Sequence, residues 1–267
     1  MDQRPIGVFD SGVGGLTVAR ALMDLLPDER IVYLGDTARG PYGPRRQEEV
    51  RDFTAEILDW LAAQDVKLAV AACNTATAAA LDTDPIPQPL PVIGVIRPAV
   101  AHAVRTTRTG RIGVIGTVGT IASGAYDRAV HEADPDVKLF SRACPRFVPL
   151  VEQGRTTDPE VLEVAREYLA PLQAAAIDTL ILGCTHYPLL TGVLSYVMGP
   201  DVVLVSSAET AARAVFAELV ERDAQAHLAD PDHRFVATGD PHEFTTMAER
   251  FLGPRVSQPD VAWLAAG

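Results

Sequence analysis

Nine short segments of this chain read as strands: IGVFD (6–10), IVYLG (31–35), KLAVAA (67–72), VIGVI (92–96), RIGVIG (111–116), VKLFSRA (137–143), TLILG (179–183), VVLVS (202–206) and RFVATG (234–239). Several are apolar throughout. A strand with one wet face alternates apolar and polar residues, so an unbroken apolar strand is one covered on both faces, as in a parallel sheet between helices. Between the strands lie amphipathic patterns such as GGLTVARALMDLL, EEVRDFTAEILDWLAA, PEVLEVAREYLAPLQAA and SSAETAARAVFAELVERD. This alternation predicts an α/β fold with mostly parallel sheets.

The chain also repeats itself. IGVFDSGVGG (6–15) resembles IGVIGTVGT (112–120), and LAVAACNTAT (68–77) is matched by LILGCTHYP (180–188). Two pseudo-symmetric α/β domains are therefore expected, with a site in the cleft between them. At 267 residues the chain has room for both. The expected division is 1–96 with 207–267 in one domain and 97–206 in the other, the C-terminal stretch returning to complete the first half. Residues 223–233 (DAQAHLADPDH) read as an exposed loop or linker.

Ligands in parallel sheets bind beyond the carboxyl ends of the strands, and Asp10, Cys73 and Cys184 all fall at such ends. A single cysteine after an apolar strand is usually a small buried hydrophobe. Two in matched settings, out of three in the chain, are candidates for chemistry; Cys144, in RACPRF, lacks such a setting and reads as structural. Asn74-Thr75 and Thr185 are expected to open helices, whose N-termini bind carboxylates and favour thiolates. In DSGVGG (10–15) the glycines let the backbone approach a ligand and Ser11 supplies a hydroxyl. The loop does not fit the G-x-G-x-x-G dinucleotide pattern, and an ordinary strand-to-helix turn is the other reading. From the loop DTARGPYG (36–43), Tyr42 and the Gly43 amide can reach into a cleft, and a plain surface loop is the other reading. His186 stands where it can tune Cys184 or relay a proton. Asp10 can orient or activate Cys73, or cap the helix that follows. On sequence alone, Glu152 in FVPLVEQG is simply an exposed glutamate.

Composition narrows the field. A formal charge of −12 repels phosphate backbones, so nucleic acid is not an expected main partner. No apolar run reaches membrane-spanning length, and the N-terminal residues lack the pattern of a secretory signal. An odd cysteine count argues against a disulfide framework and fits a reducing cytoplasm. Cys184 and His186 lack a second ligand pair, so no zinc or other metal is expected. The arginine that a phosphatase loop places six residues after its cysteine is absent, since Ala79 and Leu190 stand there. A Cys-His hydrolase leaves the second cysteine idle. The only lysines, Lys67 and Lys138, begin strands, the wrong end of the sheet for a Schiff base with pyridoxal phosphate. No cofactor is expected.

Two thiols facing each other across a substrate can invert a stereocentre: one removes a proton from carbon and the other delivers one to the opposite face. Mild tuning by Asp10, His186 and helix ends is expected to suffice. The stretches IGVFDSGVGGLTV, YLGDTARGPYG, ACNTATAAAL, VIGTVGTIASGAY, ACPRFVPLVEQG and LILGCTHYPLL resemble glutamate racemases, cofactor-independent members of the aspartate/glutamate racemase superfamily, almost end to end. The resemblance implies Cys73 and Cys184 as acid/base catalysts, with Cys73 serving D-glutamate and Cys184 serving L-glutamate. It implies auxiliary roles for Asp10, Glu152 and His186. Substrate contacts would come from Asp10, Ser11, Tyr42, Gly43, Asn74, Thr75, Thr117, Thr185 and His186. It further implies D-glutamate made for peptidoglycan and a homodimer. Departures are small: Thr77 stands where serine is common, and Arg97 occupies a variable slot. Racemisation of aspartate and a sensing role are the competing readings.

Overall fold

The computed structural model describes residues 1–83, 85–252 and 260–261. Among the described residues there are ten strands: β1 (Ile6–Asp10), β2 (Ile31–Gly35), β3 (Leu68–Ala71), β4 (Val92–Gly94), β5 (Arg111–Gly116), β6 (Lys138–Ala143), β7 (Thr179–Gly183), β8 (Val203–Ser206), β9 (Arg234–Ala237) and β10 (Asp260–Val261). They form two sheets, ordered β10-β9-β2-β1-β3-β4 and β6-β5-β7-β8, with every pairing parallel. Strands β1, β2, β3 and β7 are buried along their whole length, as their unbroken apolar sequences require.

The helices follow in chain order: α1 (Leu16–Leu25), α2 (Gln47–Ala63), α3 (Asn74–Thr77), α4 (Ile96–Thr106), α5 (Val118–Ala122), α6 (Ala125–Ala133), α7 (Phe147–Glu152), α8 (Pro159–Ala174), α9 (Thr191–Met198), α10 (Ser207–Glu221) and α11 (Pro241–Leu252). Local chemistry sets several of their ends. Asp158 caps α8 by accepting from the Val161 amide, with Pro159 preset for the first turn. Thr117 caps α5 through the Thr120 amide. Helix α3 runs directly into a π-helical turn over Ala78–Thr83.

The repeat seen in the sequence is a repeat of topology. Strands β1 to β4 lie in the spatial order 2-1-3-4, and β5 to β8 copy that order. In each, the chain passes from the central strand to one neighbour and then crosses to the other side. The order therefore reverses beside β1 in one sheet and beside β5 in the other. Such a reversal opens a crevice at the carboxyl edge, where α/β proteins bind ligands. Cys73 follows β3, the neighbour of β1; Cys184 follows β7, the neighbour of β5. Helices α1 and α10 pack together, α10 also packs on α4, and one buried apolar cluster includes Leu16, Leu22, Leu182 and Val215. Each such side chain contributes about 1.5–3 kcal/mol by leaving water.

Four expectations are corrected in detail. Ile96 opens α4 rather than ending a strand, because Val95 already has helical backbone angles. Residues 238–239 lie beyond β9. The 223–233 segment is anchored rather than simply exposed: Ala226 is buried and its amide donates to Glu29 Oε1 at 2.8 Å. Thr185 does not open a helix. It lies in the bend between β7 and a 3-10 turn at Tyr187–Leu190.

Candidate active site

A cavity of about 260 Å³ opens at the carboxyl edges of both sheets. Its polar lining comes from Ser11, Cys73, Asn74, Thr75, Thr117 and the trio Cys184, Thr185 and His186, with Glu152 at its edge. Both catalytic-candidate thiols are buried, and both are free. Cys73 sits at the N-terminus of α3 with extended backbone, and the Ala76 amide points at its sulfur. Ser11 Oγ lies 3.8 Å from that sulfur. Burial, and then the charge of Asp10, push the Cys73 thiol up to about 12. The helix end and Ser11 oppose this without overcoming it. Mild tuning therefore does not suffice at Cys73: burial first, and the Asp10 charge after it, favour the protonated thiol.

Asp10 ends β1 one layer behind the cavity wall. The cap residue of α1 is Gly15 rather than Asp10, although the Asp10 carboxylate accepts from the Gly15 amide. The same carboxylate accepts from the Gly12 amide at 3.0 Å and faces the Thr185 hydroxyl at 3.5 Å. Burial raises its pKa, while His186 and the loop amides pull the other way. Gly14 also answers a steric need from the other half of the site. A Cβ on Gly14 would lie 2.4 Å from Thr185 Oγ1 and 2.5 Å from the His186 ring. Gly14 makes room for the opposite half of the site, and the tightness follows from that packing.

On the Cys184 side the polar groups form a line. His186 Nδ1 is 3.8 Å from the Cys184 sulfur, and its Nε2 donates to Glu152 Oε1 at 3.0 Å. Burial disfavours charge on this imidazole. The hydrogen bonds to Cys184 and Glu152, with the charge of Asp10, nevertheless raise it to about 10. His186 is therefore an imidazolium at neutral pH and can steady negative charge on the Cys184 sulfur as it develops. The edge of Phe251 meets the imidazole with ring centroids 5.8 Å apart. Glu152, unremarkable in sequence, is placed by α7.

Hydroxyls crowd the opposite wall. Thr75 Oγ1 lies 3.0 Å from Thr117 Oγ1 and 3.1 Å from Thr120 Oγ1. Asn74 Nδ2 donates to the Tyr126 hydroxyl at 2.9 Å, leaving the Asn74 carbonyl oxygen without a protein donor. Gly43 faces Thr117 closely: a Cβ there would come within 2.9 Å. Tyr42 departs from expectation. Its side chain is buried, its hydroxyl donates to Asp36 Oδ2, and it does not line the cavity, so it can offer a ligand only its backbone. Cys144 is buried with its carbonyl accepting from Tyr187, as a structural residue should be. Sequence reasoning missed the apolar lining, Pro41, Pro44, Val118, Pro145, Val148 and Pro149.

Residues 16–215 match the Asp/Glu/Hydantoin racemase family model. The chain belongs to the Asp/Glu racemase family. It is 55% identical to a glutamate racemase of Beutenbergia cavernae, covering 96% of this chain and 92% of that one. A crystal structure of a glutamate racemase from Bacillus anthracis superimposes with a TM-score of 0.93 at 44% identity, over 99% of this chain and 98% of that one. A Francisella tularensis glutamate racemase in complex with D-glutamate gives a TM-score of 0.90 at 36% identity, with the same coverage.

Proposed function

We propose that this protein is a glutamate racemase that inverts Cα with Cys73 and Cys184 and no cofactor. The observation that carries this reading is the pairing of two free thiols at equivalent strand-order reversals of two sheets, lining one cavity. In the direction from L- to D-glutamate, Cys184 as thiolate takes the Cα proton and Cys73 as thiol gives its own to the opposite face. Cys184 is then a thiol and Cys73 a thiolate, which is the arrangement the reverse reaction needs. Proton exchange with solvent resets the pair.

A thiolate is a weak base for a carbon acid, so the site has to stabilise the carbanion. Hydroxyls of Thr75, Thr117 and Thr185, the Asn74 amide and the α3 N-terminus supply neutral donors for the substrate carboxylates. The bound ammonium offsets the Asp10 charge that adds to burial in keeping Cys73 protonated, so substrate binding itself lowers the cost of forming the Cys73 thiolate. This assigns Asp10 to the substrate ammonium, acting through its charge from behind Thr185, rather than to deprotonating Cys73. His186 and Glu152 balance charge on the other side.

Among the described residues no helix is long and apolar enough to cross a membrane. We place the enzyme in the bacterial cytoplasm, where its thiols stay reduced, as a homodimer whose D-glutamate serves peptidoglycan synthesis. The test is circular dichroism of L-glutamate over time, with purified protein, a thiol reductant and no pyridoxal phosphate, and with aspartate in parallel. Decay to a racemate with glutamate supports the reading. Decay only with aspartate keeps the mechanism and changes the substrate; decay with neither leaves a sensing role.

A further inference from the structure

The loop that lines the cavity with Pro41, Gly43 and Pro44 is held by residues that never reach it. Asp36, immediately after β2, is fully buried. Its Oδ1 accepts from the Thr238 hydroxyl at 2.7 Å, beyond β9. Its Oδ2 accepts from Arg39 Nε at 2.7 Å and from the Tyr42 hydroxyl. Its backbone carbonyl takes the Gly40 amide at 2.9 Å. One carboxylate thus gathers donors from two points of the loop, Arg39 and Tyr42, and from Thr238 just past the neighbouring strand. Arg39 goes on to pair with Glu56 and to lie 4.2 Å over the Phe53 ring, which also packs on Tyr42. At the loop's other end the Gly43 carbonyl accepts from the Gly119 amide at 2.9 Å, in α5. The loop is a strap: one end is moored in the first sheet, and the other lies on the helix that Thr117 caps.

We infer that Asp36 is a positioning residue for substrate binding, acting with Tyr42 and Thr238 to set where Gly43 stands opposite Thr75 and Thr117. The inference rests on reading the cavity as the glutamate site. It explains why Tyr42 belongs to the site although its ring points away. The hydrogen bonds of Cys73 and Cys184 go to Ser11 and His186 and not to this hub, although Tyr42 shares a buried cluster with Cys73, so loosening it disturbs how substrate is held more than how protons move.

The test uses two variants, Tyr42→Phe, which removes one donor to Asp36, and Thr238→Val, which removes another together with the acceptor of the Ala38 amide, with kcat and KM for glutamate and thermal melting measured on each. Both substitutions keep side-chain volume, so each variant is expected to fold, with a melting temperature lowered by about 3–10 °C. A hydrogen bond to a buried carboxylate is a strong one, so each variant is expected to raise KM about tenfold. We expect kcat to stay within about twofold. The double variant should fall short of the product of the singles, because both act on one carboxylate. Unchanged KM in both folded variants overturns the inference, as does a fall in kcat with KM unmoved. A wild-type protein that fails to racemise glutamate defeats the functional reading itself, and this inference with it.

Discussion

Replacing Glu152 by glutamine keeps the shape of the contact with His186 and removes its charge. The carboxylate stands 3.0 Å from Nε2 and is one of the groups that raise the imidazole to about 10 against the penalty of burial. An opposite charge at such range moves a pKa by roughly 1–3 units, so the variant imidazole should titrate between about 7 and 9. At pH 8.5 the wild-type ring is almost wholly protonated. In Glu152→Gln the protonated share falls to somewhere between about three-quarters and a few per cent. If the imidazolium steadies charge on Cys184, the alkaline limb of kcat must move to lower pH by the same interval. The assay is the pH profile of kcat from pH 6 to 10.5, followed by circular dichroism from each enantiomer. Stability gives an independent check. A histidine whose folded pKa is raised contributes fully below its unfolded value of about 6.5, and that contribution is lost as pH rises through about 10. Wild-type stability should therefore fall across that window, and Glu152→Gln should fall less. An alkaline limb in the same place in both proteins would refute the charge-relay reasoning.

Two further outcomes follow from packing. Gly14→Ala should abolish turnover or destabilise the fold, since the added methyl meets Thr185 and His186 well inside contact distance; steady-state kinetics beside a melting curve would register either. Lys67 is buried, pairs with Glu29, and donates to the Asp2 and Ala224 carbonyls at 2.9 and 2.8 Å. Lys67→Met alone should cost about 3–5 kcal/mol in urea unfolding by stranding the Glu29 charge. Lys67→Met with Glu29→Met should cost less than the sum of the single changes, and full additivity would contradict that account.

The strands were legible because burial on both faces writes itself as an apolar run. IGVFD, IVYLG, RIGVIG and TLILG coincide with β1, β2, β5 and β7 to the residue. The catalytic-candidate cysteines were legible for a related reason: parallel sheets put ligands at carboxyl ends, and the chain marks two such ends alike. Direction was not legible. Tyr42 sits in a loop of glycines and prolines, where no periodicity says which way a ring points; only the Asp36 carboxylate decides it. Asp36 itself looked like loop polarity, because its partner Thr238 lies 202 residues away. Gly14 likewise signalled a tight turn, while the contact that requires it comes from the other sheet. The proline and valine lining carried no chemical signature at all.

The central claim is one thiol for each face of Cα. It is tested most directly by proton NMR of Cα–H exchange in heavy water, using Cys184→Ala and Cys73→Ala with each pure enantiomer. The account predicts that Cys184→Ala still exchanges the Cα proton of D-glutamate with retention and leaves L-glutamate untouched. Cys73→Ala should do the reverse. Equal exchange from both enantiomers in either variant, or racemisation surviving the loss of one sulfur, would contradict it.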